Sequence, residues 1–407
     1  MKGPELVVPA GTPEKLRVAI HYGADAVYLG GKRFSLRQEA GNFTPEEMKT
    51  GIAYAHSCNV RVYVAVNIFS KNEDISELPD YLSILEEIGA DAVIVSDPGV
   101  LEIVKETVPS LPIHLSTQAN TTNWKSCQFW EHQGISRICL ARELSLEEIQ
   151  DIRAKTKMDL ELFVHGAMCI SYSGRCLLSY YMTGRDANHG NCAQPCRWKY
   201  SLMEEKREGE FFAVEEDKKG TYIFNSKDLC MIEHIPLLME LGVKGVKIEG
   251  RMKSINYLST VTHVYRQAID LYLNDPKAYR FSPNWMEEIK KVSNRQYTTG
   301  FYLGKPGNES QNTGTFISTR QTDFVGVVRQ ALDSDAVEVD VKNKIVGGEW
   351  LEFFGRNKKT FLKKVDRIEG LDGGIKEVAQ PNERVILWIN APLERFDIIR
   401  RIKSSRQ

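Results

Sequence analysis

Four cysteines within 28 residues, Cys169-x6-Cys176-x15-Cys192-x3-Cys196, are the densest concentration of reactive chemistry in this 407-residue chain. They lie in ELFVHGAMCISYSGRCLLSYYMTGRDANHGNCAQPCRWKY, a tract rich in Gly, Ser, Asn and Arg. Thiolates gathered in such a loop bind zinc, hold an iron–sulfur cluster or pair as disulfides. The N-terminus, MKGPELVVPAGTPEK, lacks the apolar run of a signal peptide, and Pro4 and Pro9 would interrupt one. No uncharged stretch is long enough to span a bilayer. A reducing cytoplasm is therefore expected, where structural disulfides are disfavoured. Zinc knuckles pair cysteines roughly two to four residues apart, twice. Only Cys192 and Cys196 are that close. The irregular spacing favours an iron–sulfur cluster over zinc, with unligated thiols as the third option. Cys58, Cys127 and Cys139 fall in helical or strand patterns and are expected as buried small apolar residues. Cys230, just beyond the NSKDL tract, could supply or replace a ligand.

Other chemistry-bearing residues stand where apolar runs end, so the elements must be read next. GADAVYLG (Gly23 to Gly30) returns as GADAVIVSD (from Gly89), GISRICLARE (from Gly134) and GVKGVKIEGR (from Gly242). Each is a Gly, a polar pair and a Val/Ile/Leu run too apolar for a strand with one wet face, which indicates a parallel sheet buried on both sides. Thr12-Pro13 and the capping boxes Thr44-x-x-Glu47 and Ser145-x-x-Glu148 mark helix starts between them. Strands are expected at Leu6–Ala10, Ala26–Gly30, Arg61–Asn67, Ala92–Asp97, Ile113–Gln118, Arg137–Arg142, Leu160–His165 and Gly245–Glu249. That count fits an α/β (β/α)8 TIM-like barrel. The competing doubly wound open sheet would carry GxGxxG after its first strand, and PAGTPEK is not that motif.

The barrel is assigned to residues 1–275, with the cysteine-rich insertion after the seventh strand at about 166–229. Insertions there open onto the C-terminal face, where active sites of this fold lie. The strand ends bring Arg37, Asn67, Asp97, Gln118, Arg142, Glu143, His165, Glu249 and Arg251 to that mouth. Asp97, before Pro98-Gly99, reads foremost as a helix cap. His165 and Glu249 are the candidate catalytic groups. Arg37, Arg142 and Arg251 are candidate clamps for a substrate with carboxylates or phosphates, which a guanidinium binds as a two-pronged fork. No HExxH, GxSxG or Walker-type loop is present. Residues 276–323 form a connecting segment. From 324 to 407 short alternating runs separated by Gly and Pro-Asn turns read as a small C-terminal β-barrel.

Charge does not announce a nucleic-acid binder: 53 Lys and Arg oppose 54 Asp and Glu, a net −1. The surplus is local. Phe324 to Gln407 holds 16 basic against 13 acidic residues, or +3.

ELFVHGAMCISYSGRCLLS resembles the signature of peptidase family U32, through Glu161, Phe163, His165-Gly166, Cys169, Gly174, Cys176 and Ser179. The resemblance continues through LVVPAGTPEKL, YGADAVYLG, FSLR, VSDPG, HLSTQAN, GNCAQPCRWKY, NSKDL, KIEGR and YTTGFYLG, and so covers nearly the whole chain. Within the family it is closest to proteins of tRNA hydroxylation. The resemblance implies oxygen-independent formation of 5-hydroxyuridine at the wobble position, with prephenate or a derivative as co-substrate and a [4Fe-4S] cluster as cofactor. It implies Cys169, Cys176 and Cys192 as ligands, with Cys196, or alternatively Cys230, as the fourth. Cys196 is preferred because it shares the loop of Cys192, whereas Cys230 sits where a helix begins. Prephenate's two carboxylates would engage Arg37, Arg142 and Arg251. The expected partner is a tRNA anticodon loop, without a membrane, and with a paralogous or partner protein as a further option. Basic residues Arg175, Arg185, Arg197 and Lys199 and the C-terminal domain would grip phosphate. Tyr172, Tyr180, Tyr181 and Trp198 would stack bases, although Trp198 also suits packing under the cluster. The other reading is a peptidase, with Ser173 and His165 to test, or a non-catalytic RNA-binding module.

Overall fold

The computed structural model describes residues 3–36, 41–168, 171–173, 175–187, 190–197, 216–217, 220–221, 227–292, 296–304, 321–333 and 335–403. Eight parallel strands close a barrel: β1 (Glu5–Pro9), β2 (Ala26–Gly30), β3 (Arg61–Val66), β4 (Ala92–Val95), β5 (Ile113–Leu115), β6 (Arg137–Cys139), β7 (Asp159–Ala167) and β8 (Gly245–Ile248). Each pairs with the next, and β8 closes the ring on both β1 and β7. Residues of β1, β4 and β8 are buried without alternation. Helices cover one face of the sheet and the packed barrel interior covers the other. The expected helix starts are present. Thr44 and Ser145 each close a capping box with Glu47 and Glu148. Asp97 caps its helix by accepting from the N–H groups of Gly99 and Val100.

The barrel's interior is not purely apolar. Glu5, Arg137, Glu161 and Lys247, one charge each from β1, β6, β7 and β8, are almost fully buried. Arg137 Nη1 lies 2.8 Å from Glu5 Oε2 and 3.6 Å from Glu161 Oε2, while Lys247 Nζ lies 2.8 Å from Glu161 Oε1. Buried charges persist only when paired in this way. Burial alone would raise the two carboxyls; the adjacent cations outweigh it and hold both below the usual carboxylate range.

Three local features depart from expectation. Cys58 is exposed, because it falls at the C-cap of helix Pro45–Ser57 rather than on its inward face. Cys230 does not begin a helix. It ends a short strand, Asp228–Cys230, that returns antiparallel to β7 and pairs with His165. That strand also takes Tyr297–Thr298 as a parallel neighbour, so part of the YTTGFYLG tract joins the barrel sheet. The C-terminal domain starts with strand Thr322–Ala331 and is an eight-stranded antiparallel sheet; among the described residues its ladder stays open rather than closing into a barrel.

The two domains share a buried seam. Arg400 is fully buried, its Nε donating to Asn256 Oδ1 at 2.7 Å and its Nη1 to Glu288 Oε2 at 2.8 Å and Glu352 Oε1 at 3.2 Å. Its guanidinium lies 4.3 Å from the Phe354 ring centroid. Tyr22, at the end of helix Pro13–His21, stacks on Phe354 and donates to Phe396 O at 3.0 Å.

Candidate active site at the barrel mouth

A cavity of about 230 Å³ opens at the C-terminal ends of the strands, roofed by the cysteine-rich insertion. Strand ends supply Asn67, Gln118, Arg142, Lys247, Glu249 and Arg251, and the insertion supplies Ser173, Cys176, Cys192 and Cys196. The insert thus sits where the barrel topology required.

Local structure fixes these groups. Arg142 donates from Nη1 to Ala167 O and from Nη2 to Ser173 Oγ, both at 2.7 Å, and lies over the Phe163 ring. It ties the end of β6 to the start of the insert. Arg251 reaches back across the mouth, donating from Nη2 to Ser35 Oγ at 2.7 Å, Asn42 Oδ1 at 3.1 Å and Leu36 O. Only glycine at position 30 leaves room for it, since a Cβ there would come within 2.6 Å of Arg251 Nη1. Gly166 serves β7 in the same way. Its φ is +113°, and a Cβ would meet Glu249 at 2.7 Å. Lys247 packs between the rings of Tyr28 and Phe163, 4.5 and 5.6 Å from their centroids.

His165 stands apart. It is buried but is not among the residues lining the cavity. Tyr257, Tyr265 and Tyr297 surround its ring at 5.5 to 5.8 Å between centroids. Burial pushes its pKa down to about 3, so it is neutral at physiological pH. Its Nε2 has no hydrogen-bond partner among the described residues.

Cys176, Cys192 and Cys196 are half-buried and line the cavity. Cys192 Sγ accepts from Gln194 N–H at 3.4 Å. Cys230 is fully enclosed away from the cavity, beside Tyr265, and burial pushes its thiol up to about 12. Three thiols lining one cavity are the right donors for a thiolate-held cluster. Among the described residues alone, no three His, Cys, Asp or Glu side chains converge closely enough to hold a metal ion. Cys169, Arg37, Trp198 and Lys199 lie outside the described residues. Arg197 ends the short turn Pro195–Arg197. Tyr172, Tyr180 and Tyr181 are exposed on the insert, Tyr181 at 85 %. Arg175 lies near Phe69, and Arg185 Nε donates to Asn191 O at 3.1 Å.

Sequence reasoning passed over Lys247 and its charged layer. The signal was there: a single charge inside an otherwise apolar barrel strand, as in GVKI and LELFV, is a charge facing the barrel interior or its mouth.

The family model for peptidase family U32 matches residues 11–312, and that for the U32 C-terminal domain matches residues 320–400. The tRNA hydroxylation protein P1 of Bacillus subtilis is 42% identical over 380 residues, covering 93% of this chain and 90% of its own. An uncharacterized protease of Methanocaldococcus jannaschii is 37% identical over 98% of both chains. A 23S rRNA 5-hydroxycytidine synthase of Escherichia coli is 30% identical over 84% of this chain and 53% of its own. With both family models matched in tandem around a thiol-roofed barrel, this chain belongs to peptidase family U32.

Proposed function

We propose that this protein hydroxylates RNA, and that its substrate is the wobble uridine of tRNA, converted to 5-hydroxyuridine with prephenate or a derivative as co-substrate. The observation that carries the reading is the mouth cavity, which three cysteines line together with strand-end cations. The tRNA hydroxylation protein and the rRNA hydroxycytidine synthase among the relatives support the reaction class. Cys169, Cys176, Cys192 and Cys196 would hold a [4Fe-4S] cluster, which supplies one-electron transfer when bound. Cys196 is favoured over Cys230 because it lines the cavity, whereas Cys230 is sealed behind β7. Arg142 and Lys247 would place positive charge beside the ligand. The exposed tyrosines of the insert suit stacking of unpaired bases. Among the described residues, no helix is long and apolar enough to cross a membrane.

A peptidase needs a nucleophile and a base within hydrogen-bond reach. Ser173 Oγ instead accepts from Arg142, and His165 does not line the cavity. Deleting the gene and quantifying tRNA nucleosides by mass spectrometry tests the proposal. Loss of 5-hydroxyuridine and its derivatives is expected. Their persistence without a paralogue, or peptide cleavage by the pure protein that Ser173→Ala abolishes, refutes it.

A further inference from the structure

We propose that Gln118 is the hydrogen-bond donor that reads a carboxylate oxygen of a small acid in the mouth cavity, and that Arg251 orients it from across the barrel through a relay. The assignment rests on the preceding reading of this cavity as the reaction site, and names one of its recognition groups.

The relay has a fixed polarity. Arg251 holds the Ser35 hydroxyl and the Leu36 carbonyl. There, Leu36 N–H donates to Asn67 Oδ1 at 3.3 Å. A backbone N–H can only donate, so Asn67 turns its oxygen to Leu36 and its nitrogen away. Asn67 Nδ2 then donates to Gln118 Oε1 at 2.7 Å. A second donor agrees. Ser116 Oγ accepts from the Gln118 backbone N–H at 3.3 Å, leaving its own proton for Gln118 Oε1 at 3.2 Å. With both bonds ending on Oε1, the amide is locked, and Nε2 is the atom left over.

That nitrogen is buried and has no hydrogen-bond partner among the described residues. Gln118 itself is 3 % exposed and lines the cavity. A buried donor without an acceptor is costly. An incoming oxygen relieves that cost, whereas an incoming ammonium group, which can only donate, cannot. Among the charged side chains of the lining, Lys247 is paired with Glu161, and Arg142 and Arg251 oppose Glu249. That balance selects an anionic oxygen over a neutral one. Arg251 is therefore a positioning residue.

The test is calorimetric titration of the anaerobically purified full-length protein with prephenate, and in parallel with a uridine-containing anticodon stem–loop. Gln118→Met removes the donor and should weaken prephenate binding about tenfold. Gln118→Glu keeps the shape but presents an acceptor, and should weaken it about a hundredfold. A packing role predicts the reverse order, because Glu is the closer isostere. Asn67→Asp turns the Gln118 amide over and should follow Gln118→Glu. Arg251→Lys should weaken binding in the wild-type background and add nothing in Gln118→Met, since the two act in series. Stem–loop affinity should be unchanged throughout. Equal prephenate affinity in wild type and Gln118→Glu, a loss confined to the stem–loop, or no prephenate binding by wild type overturns the assignment. The gene-deletion experiment reads the reaction independently, so loss of 5-hydroxyuridine with unaltered Gln118 variants would remove this inference alone.

Discussion

Replacing Arg400 by Met should uncouple the two domains. The wild-type guanidinium is fully buried and satisfies Asn256, Glu288 and Glu352 at once, with Thr260 beside it. Methionine retains the stem against Phe354 but leaves two carboxylates facing one cation, Lys291, which lies 2.8 Å from Glu288 and 2.7 Å from Glu352. Removing one partner of a buried ion pair typically costs about 3–5 kcal/mol. Lys291 remains, so the lower figure applies, about 3 kcal/mol. Charged to the C-terminal domain's own melting, that is a fall on the order of 10–20 °C. Differential scanning calorimetry should show one transition in the wild type and two in the variant. The pH dependence carries a sign. Burial raises the Glu288 carboxyl, but Arg400 and Lys291 outweigh it and its folded pKa is depressed. Its contribution is present above the ordinary carboxylate pKa and is lost as pH falls through the lower folded value. The variant should therefore lose less stability than wild type on acidification across that window. A single unshifted transition, or unchanged acid sensitivity, would refute the latch.

Cys176→Ser, Cys192→Ser and Cys196→Ser should each abolish the iron–sulfur absorption of anaerobically purified protein, while Cys230→Ser retains it; the opposite ranking of Cys196 and Cys230 would reassign the fourth ligand. Gly30→Ala should cost about 1–3 kcal/mol in a denaturant melt, because its Cβ intrudes on Arg251 and Ser35; a melt like wild type's would show that the loop yields freely. Arg175→Gln and Arg185→Gln should each lower the salt dependence of tRNA binding by about one unit of log–log slope, and an unchanged slope would remove them from the RNA path.

The barrel was readable because most strands are short Val/Ile/Leu-rich runs, and because the helix caps between them are local: Thr44, Asp97 and Ser145 each act within three residues. The placement of the insert followed from topology. What was not readable depends on distant partners. Whether Cys230 lies on a strand is decided by β7, more than sixty residues earlier in the chain. The orientation of Gln118 is decided by Leu36 and Asn67 on other strand ends. Arg251 reads in sequence as an anion clamp, yet its bonds run to the loop after β2, a contact 215 residues away. His165 stands at a strand end in sequence but turns into an aromatic cage, because β7 there pairs with the return strand.

Residues just beyond two C-terminal strands touch both ends of helix Pro13–His21. Lys342 approaches Glu14 in the first turn at 4.0 Å, and Arg356 donates to His21 O in the last at 2.7 Å. That helix follows β1, the neighbour of β8, whose end carries Glu249 and Arg251 to the cavity. The outer domain and the reaction chamber are thus tied to one helix. On the proposed reading, an RNA that touched both would meet two points joined through that helix, and the length between its gripped segment and the reacting residue would become a selection rule.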